Sequence, residues 1–130
     1  MASILVVEDS AVVRLCLEEC LLKAGYVVHC EGDGESAIGS LKVAKFDLIL
    51  LDLLMPKGNG ESVVRWLLEQ NRSEKVVVFS AYMQSLPKEL HGRVSGWIDK
   101  YETMDVILER VAGYLGNFDG STPLVAGVQG

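Results

Sequence analysis

Leu50-Leu51-Asp52-Leu53-Leu54-Met55-Pro56 decides how this chain is read. A run of strand-forming apolar residues from Phe46 to Leu51 ends in a single carboxylate, and Pro56-Lys57-Gly58-Asn59-Gly60 then turns the chain away. A continuous apolar run suits a strand covered on both faces, so Asp52 falls at the carboxyl end of that strand, where open α/β sheets collect their chemistry. Asp52 also reads as a residue that merely caps the strand or the turn after it. The rest of the chain weighs between the two readings.

Upstream, Ile4-Leu5-Val6-Val7 is a second short apolar run, and it ends in Glu8-Asp9. Ser10 is placed to cap a helix over Ala11 to Ala24, with Gly25 just past its end. Val13, Leu17, Cys20, Leu21 and Ala24 keep helical spacing, while Val12, Leu15 and Leu22 fall off that stripe and suit either extra core contact or a docking protein. Tyr26 to Cys30 reads as a strand, and Glu35 to about Val43 as a helix. Downstream of Asp52, helices are expected over about 60–70, 84–91 and 103–115, with strands at Val76–Phe79 and Val94–Ile98 ending at Ser80-Ala81 and Asp99-Lys100. The helix after Asp52 carries Val63, Val64, Leu67 and Leu68 as its apolar face.

Five βα units with short connections indicate a parallel sheet with helices on both faces. Periodicity does not give the strand order. The flavodoxin-like order 2-1-3-4-5 is one common solution, and its crevice lies between strands 1 and 3, where Glu8, Asp9 and Asp52 would meet. Residues 1–116 form the expected domain. From 117 to 130 the chain holds several glycines, Pro123 and one charged residue, Asp119, which is the composition of a flexible tail or linker.

A chain of 130 residues, 49% hydrophobic, suffices for one substantial core. A formal net charge of -6 argues against a nucleic-acid surface, because phosphate binding needs a patch of Lys and Arg. No apolar run is long enough for a bilayer, and the chain enters its first strand without a basic leader, so a cytoplasmic location is expected. Cys16, Cys20 and Cys30 lack metal-ligand spacing and read as small buried hydrophobes. His29 and His91 read as surface or partly packed side chains, and Gly58-Asn59-Gly60 as a turn leading into a helix.

Carboxylates converging at strand ends repel one another unless a cation balances them. Magnesium fits: it takes oxygen ligands, one or two of them protein carboxylates, with water and phosphate completing the shell. Asp9 and Asp52 suit direct ligation and Glu8 a water-mediated role. Screened in this way, the Asp52 carboxylate becomes usable as a nucleophile toward phosphorus, with Lys100 and Ser80 at neighbouring strand ends offering an ammonium and a hydroxyl.

In order, LVVED at strand 1, LLDLLMP at strand 3, Ser80-Ala81 at strand 4 and Trp97-Ile98-Asp99-Lys100 at strand 5 resemble the receiver domains of two-component response regulators. The resemblance spans about Ser3 to Leu115. It implies that Asp52 accepts a phosphoryl group from the phosphohistidine of a histidine kinase or histidine phosphotransfer protein. Glu8 and Asp9 match the acidic pair that holds magnesium, and the backbone carbonyl of Leu54 matches a further ligand. Ser80 and Lys100 match the hydroxyl and lysine that engage the phosphoryl group, and Trp97 matches the aromatic switch. The face built from the fourth helix, fifth strand and fifth helix, about residues 84 to 115, is implied to engage a downstream protein or output domain.

Three positions depart from the family pattern. Tyr101 follows Lys100 where a cis proline is common; Trp97 is larger than the usual Tyr or Phe; and Ser95-Gly96 replaces the acidic pair of winged-helix regulators, which argues against their salt-bridged dimer and leaves dimerisation by another face open. The first reading is therefore a signalling phosphoacceptor rather than an enzyme with an external substrate. A phosphorylation-independent interaction module has no need for this constellation. An aspartate-nucleophile phosphatase would favour a second carboxylate where Leu54 stands, and a flavin carrier would favour a phosphate-cradling loop where Glu8-Asp9 stands.

Overall fold

The computed structural model describes residues 1–55, 59–81 and 86–116. In chain order the elements are β1 (Ser3–Val7), α1 (Ala11–Lys23), β2 (Val27–Glu31), α2 (Gly34–Val43), β3 (Leu48–Leu51), α3 (Gly60–Glu69), β4 (Lys75–Phe79), a 3-10 segment (Lys88–Arg93), β5 (Gly96–Ile98) and α4 (Met104–Leu115). The five strands are all parallel and lie in the order β2-β1-β3-β4-β5. This is the flavodoxin-like doubly wound sheet.

Alternation along each strand splits the core into two layers. Leu5, Val7, Ile49, Leu51, Val76 and Val78 face α2 and α3, meeting Ala37, Leu41, Val63, Val64 and Leu67. Ile4, Val6, Leu48, Leu50, Val77 and Phe79 face the other way, onto Leu17 and Leu21 of α1 and Ile107 and Val111 of α4. In β1, β3 and β4 both faces are covered, which is why Ile4–Val7, Leu48–Leu51 and Val76–Phe79 read as unbroken apolar runs.

Helix starts rest on side-chain capping. Ser10, Asp33, Asn59 and Thr103 each accept a backbone N–H from three residues on, namely Val13, Ser36, Ser62 and Val106. At the other end of the last helix, Gly116 adopts φ 65°.

Several expectations need correction. Among the described residues, the helix expected over about 84–91 is replaced by the 3-10 segment Lys88–Arg93, since Pro87 disfavours a helical residue before it and Gly92 weakens any helix that would run through it. Residues 84 and 85 lie outside the described residues, as do Gly58 and the tail expected from 117 to 130. Cys16 is exposed and Cys20 and Cys30 are half-buried, all three as free thiols. Burial pushes the Cys30 thiol up to about 11, with the nearby Glu18 carboxylate adding to the rise. Leu68 and Ala24 face solvent, and Val12, Leu15 and Leu22 are 73%, 62% and 51% exposed, so α1 leaves an apolar strip uncovered.

The β5 edge is shaped by one aromatic ring. Tyr114 of α4 lies directly over Gly96, where any Cβ would overlap the phenol. Its hydroxyl accepts the backbone N–H of Trp97 at 3.3 Å, and Lys75 Nζ donates to the Tyr114 carbonyl at 2.7 Å. No helix among the described residues is long and apolar enough to cross a membrane.

Candidate functional site

A parallel sheet sends the carboxyl ends of its strands to one edge, and the chain delivers its polar residues there. The result is a cleft of about 200 Å³ lined by Glu8, Asp9, Ser10, Asp52, Leu54, Ser80, Ala81, Lys100 and Tyr101. Ligand oxygens of Glu8, Asp9 and Asp52 lie within 4.8 Å of one another. Glu8 and Asp52 are buried and Asp9 is exposed.

Each group is held by local backbone. The Asp52 N–H donates to the Val7 carbonyl at 3.0 Å, extending the β1–β3 ladder by one rung. Its Oδ1 accepts the Leu54 N–H at 3.2 Å, so the chain after the strand folds back over its own carboxylate. Glu8 Oε2 accepts the Ser10 N–H at 2.9 Å. Lys100 Nζ lies 3.3 Å from Asp52 Oδ2 and 3.2 Å from Glu8 Oε1. Although Tyr101 stands where proline is common, no cis peptide bond occurs among the described residues. Asp99 builds the turn instead, its carboxylate accepting the Tyr101 N–H at 2.9 Å and its carbonyl the Glu102 N–H at 3.1 Å.

One ammonium faces three carboxylates, and the electrostatics reflect that imbalance. Burial raises the Glu8 carboxyl above its usual range, against the Ser10 hydrogen bond and with the help of Asp52. Burial likewise raises Asp52, against the Leu54 hydrogen bond and Lys100. Burial alone would lower Lys100, but Asp52 and Glu8 outweigh it and hold the ammonium above its usual value. Glu8 Oε1 is the one buried side-chain oxygen among the described residues with no hydrogen-bond partner; Lys100 lies within ion-pair reach of it but off any hydrogen-bond direction. An unsatisfied buried carboxylate oxygen in an all-oxygen cluster fits a hard divalent cation.

These shifts set a pH dependence of stability. In the metal-free protein Glu8 and Asp52 bind protons more tightly folded than unfolded, so stability falls as pH rises from the ordinary carboxyl range through their raised values. Asp52→Asn is expected to flatten that slope and to raise the Tm at pH 7, checked by thermal unfolding in chelator from pH 4 to 8.

Of the residues singled out from the sequence, Glu8, Asp9, Asp52, Leu54, Ser80 and Lys100 meet around the cleft. Trp97 stands apart from it, packed against the α2–α3 layer of the core with its ring edge-on to His91 at 5.9 Å. His91 Nε2 lies 2.8 Å from the Leu86 carbonyl. His29 sits on β2 between Glu31 and Ser40. Two residues of the site escape a reading of the sequence. Arg14 of α1 donates from Nη1 to the carbonyls of Glu8 and Asp9, at 2.8 and 3.4 Å. Gly60 opens α3 directly against the Asp52 backbone, its N–H donating to the Leu53 carbonyl at 3.2 Å. An arginine at helical distance from an acidic pair is the only signal for the first, and a glycine at a helix start for the second.

Residues 4–112 match the family model of the response regulator receiver domain. The chemotaxis protein CheY of Thermotoga maritima is 33% identical over 82 residues, covering 62% of this chain and 68% of that protein. The transcriptional regulatory protein DltR of Streptococcus agalactiae is 29% identical over 85 residues, which cover 65% of this chain but only 38% of the regulator. Among solved structures, the response regulator TrrA of Thermotoga maritima, in complex with Mg2+-BeF, superposes with a TM-score of 0.78 at 26% identity, covering 88% of this chain and 99% of that one.

Proposed function

Because this chain belongs to the response regulator receiver domain family, a signalling family, we propose that it is a phosphoacceptor switch in a two-component or phosphorelay system. The observation that carries this reading is the buried Asp52 carboxylate, which lines the cleft with Lys100 at 3.3 Å and with oxygens of Glu8 and Asp9 within 4.8 Å. Asp52 attacks phosphorus, the N–P bond of the donor phosphohistidine breaks, and the electron pair stays with the imidazole nitrogen. Magnesium, held by Glu8, Asp9, Asp52 and the Leu54 carbonyl, would screen the repulsion between these carboxylates and the incoming phosphoryl group.

Lys100 is the cation that follows the transferred charge, since it already pairs with Asp52. Ser80, buried at the end of β4, supplies a hydroxyl to the phosphoryl oxygens. The histidine kinase or phosphotransfer partner docks over the cleft, beside the uncovered Val12 and Leu15 of α1. The output passes through Trp97 to the face formed by the 3-10 segment, β5 and α4. Residues 1–116 form the receiver unit.

The test is intact mass after incubation with acetyl phosphate, with and without magnesium, on wild type and Asp52→Asn. One phosphoryl adduct that requires both the metal and Asp52 is expected. No adduct, even from a phosphohistidine donor under rapid quench, would instead make the chain a phosphorylation-independent binding module.

A further inference from the structure

Glu8 and Asp9 lie in the loop between β1 and α1, and a loop places carboxylates only as well as its backbone is fixed. Three features fix it. The Glu8 N–H donates to the Glu31 carbonyl at 3.1 Å, tying the loop to β2. The Ser10 N–H holds the Glu8 carboxylate at 2.9 Å. The third is Arg14, which reaches back over the loop so that Nη1 meets the Glu8 carbonyl at 2.8 Å and the Asp9 carbonyl at 3.4 Å. Its own N–H is bonded to the Ser10 carbonyl at 2.9 Å, so the side chain starts from a rigid helical turn. Gly32, after β2, lies against the same guanidinium, and a Cβ there would stand 3.4 Å from Nη1.

What Arg14 does not touch matters as much. A guanidinium beside two carboxylates would ordinarily pair with them and compete with any cation. Here the carboxylate of Glu8 is paired with Lys100 instead, and Arg14 spends its donor on main-chain oxygens. The arginine therefore orients the acidic pair while leaving its side-chain oxygens available.

We propose that Arg14 is a positioning residue for the divalent-cation site, setting the aim of Glu8 and Asp9 through their backbone carbonyls. This rests on the reading of the cleft as a magnesium site. Groups that orient a metal's ligands without touching the metal are worth roughly 10- to 100-fold in affinity. Lysine at this position keeps a cationic donor group, on a flexible stem and without the planar guanidinium fork, and recovers part of the effect.

Magnesium chloride is titrated calorimetrically into wild type, Arg14→Ala, Arg14→Lys and Arg14→Gln, with urea unfolding of each in chelator. The expected result is a magnesium Kd raised about tenfold in Arg14→Ala, less in Arg14→Lys, with the metal-free urea midpoint close to wild type. The acetyl phosphate reaction should then need about tenfold more magnesium for half its maximal rate while the maximum is retained. An unchanged Kd together with a lowered urea midpoint overturns the proposal and makes Arg14 a structural residue only. If Arg14→Ala does not fold, the lysine and glutamine variants decide on the same two readouts. Failure of the underlying magnesium reading shows separately, as wild type that binds no magnesium.

Discussion

Replacing Gly60 with alanine is expected to cost the folded state about 3 kcal/mol, the upper part of the range for overpacking a filled site, and to slow phosphoryl adduct formation in whatever protein remains folded. An alanine Cβ at this position would stand 2.5 Å from the Asp52 carbonyl oxygen and 2.8 Å from Leu53 Cα. Both are main-chain atoms, so no side-chain rotation relieves the clash. Either α3 lifts away from Val7 and Leu51 in the core layer it shares, or the chain bearing Asp52 is pushed outward. Urea unfolding measures the first, and the rate of adduct formation from acetyl phosphate measures the second. A wild-type midpoint and rate would mean that the close approach of α3 to Asp52 is not tight in solution.

Lys100→Met should have the next largest effect. The ammonium is the only cation paired with Glu8 and Asp52 among the described residues. Removing one member of a buried charge cluster costs about 3 kcal/mol, the lower end of the usual range, because Lys100 retains 19% side-chain exposure. The deficit depends on pH with a definite sign. Lys100 is held above its ordinary value in the fold, so its contribution is fully present below that value and is lost only as the pH passes the raised one. At the acid end the deficit shrinks as Glu8 and Asp52 take up protons through their raised range, since neutral carboxyls need no partner. Metal-free denaturation at pH 5 and pH 8 checks this, with the larger gap expected at pH 8. Magnesium is expected to narrow that gap by supplying the missing positive charge.

The doubly wound sheet is legible in the sequence because both of its faces are buried. Strands such as Leu48–Leu51 carry no polar residue until they leave the core, so each acidic, hydroxyl or lysine residue that ends an apolar run marks a strand terminus. Parallel pairing then puts those termini on one edge, which is why Glu8, Asp52, Ser80 and Lys100 can be grouped from residue order alone. Helix starts are readable where a short polar side chain precedes the apolar stripe, as at Ser10 and Thr103.

What escapes the sequence depends on distance through space. The nearness of Gly60 to Asp52 arises from the packing of α3, and no local pattern encodes it. Arg14 looks like an ordinary helical arginine because its partners are carbonyls, which every residue has. The buried Glu74 just before β4 is equally silent. It pairs with Arg72 at 2.6 Å, and Arg72 also donates to the Leu41 and Ala44 carbonyls at the end of α2 while lying over the Trp66 ring. The segment after Pro87 misleads because its apolar spacing supports a helix while proline and Gly92 confine the described part to a 3-10 segment.

The ring of Tyr114 has a consequence for how copies of this molecule behave beside one another. An outer strand offers open donors and acceptors to any neighbouring strand, and that is a common start of ribbon-like aggregation. Along β5 the Trp97 donor is already taken by the phenol, and the ring stands over Gly96 as a bulky cover. At the opposite margin of the sheet, β2 carries His29 and Glu31, a charged and polar pair ill suited to a dry interface between strands. The two margins of the sheet are thus closed to a neighbouring strand by different means, one with a ring and one with polar side chains.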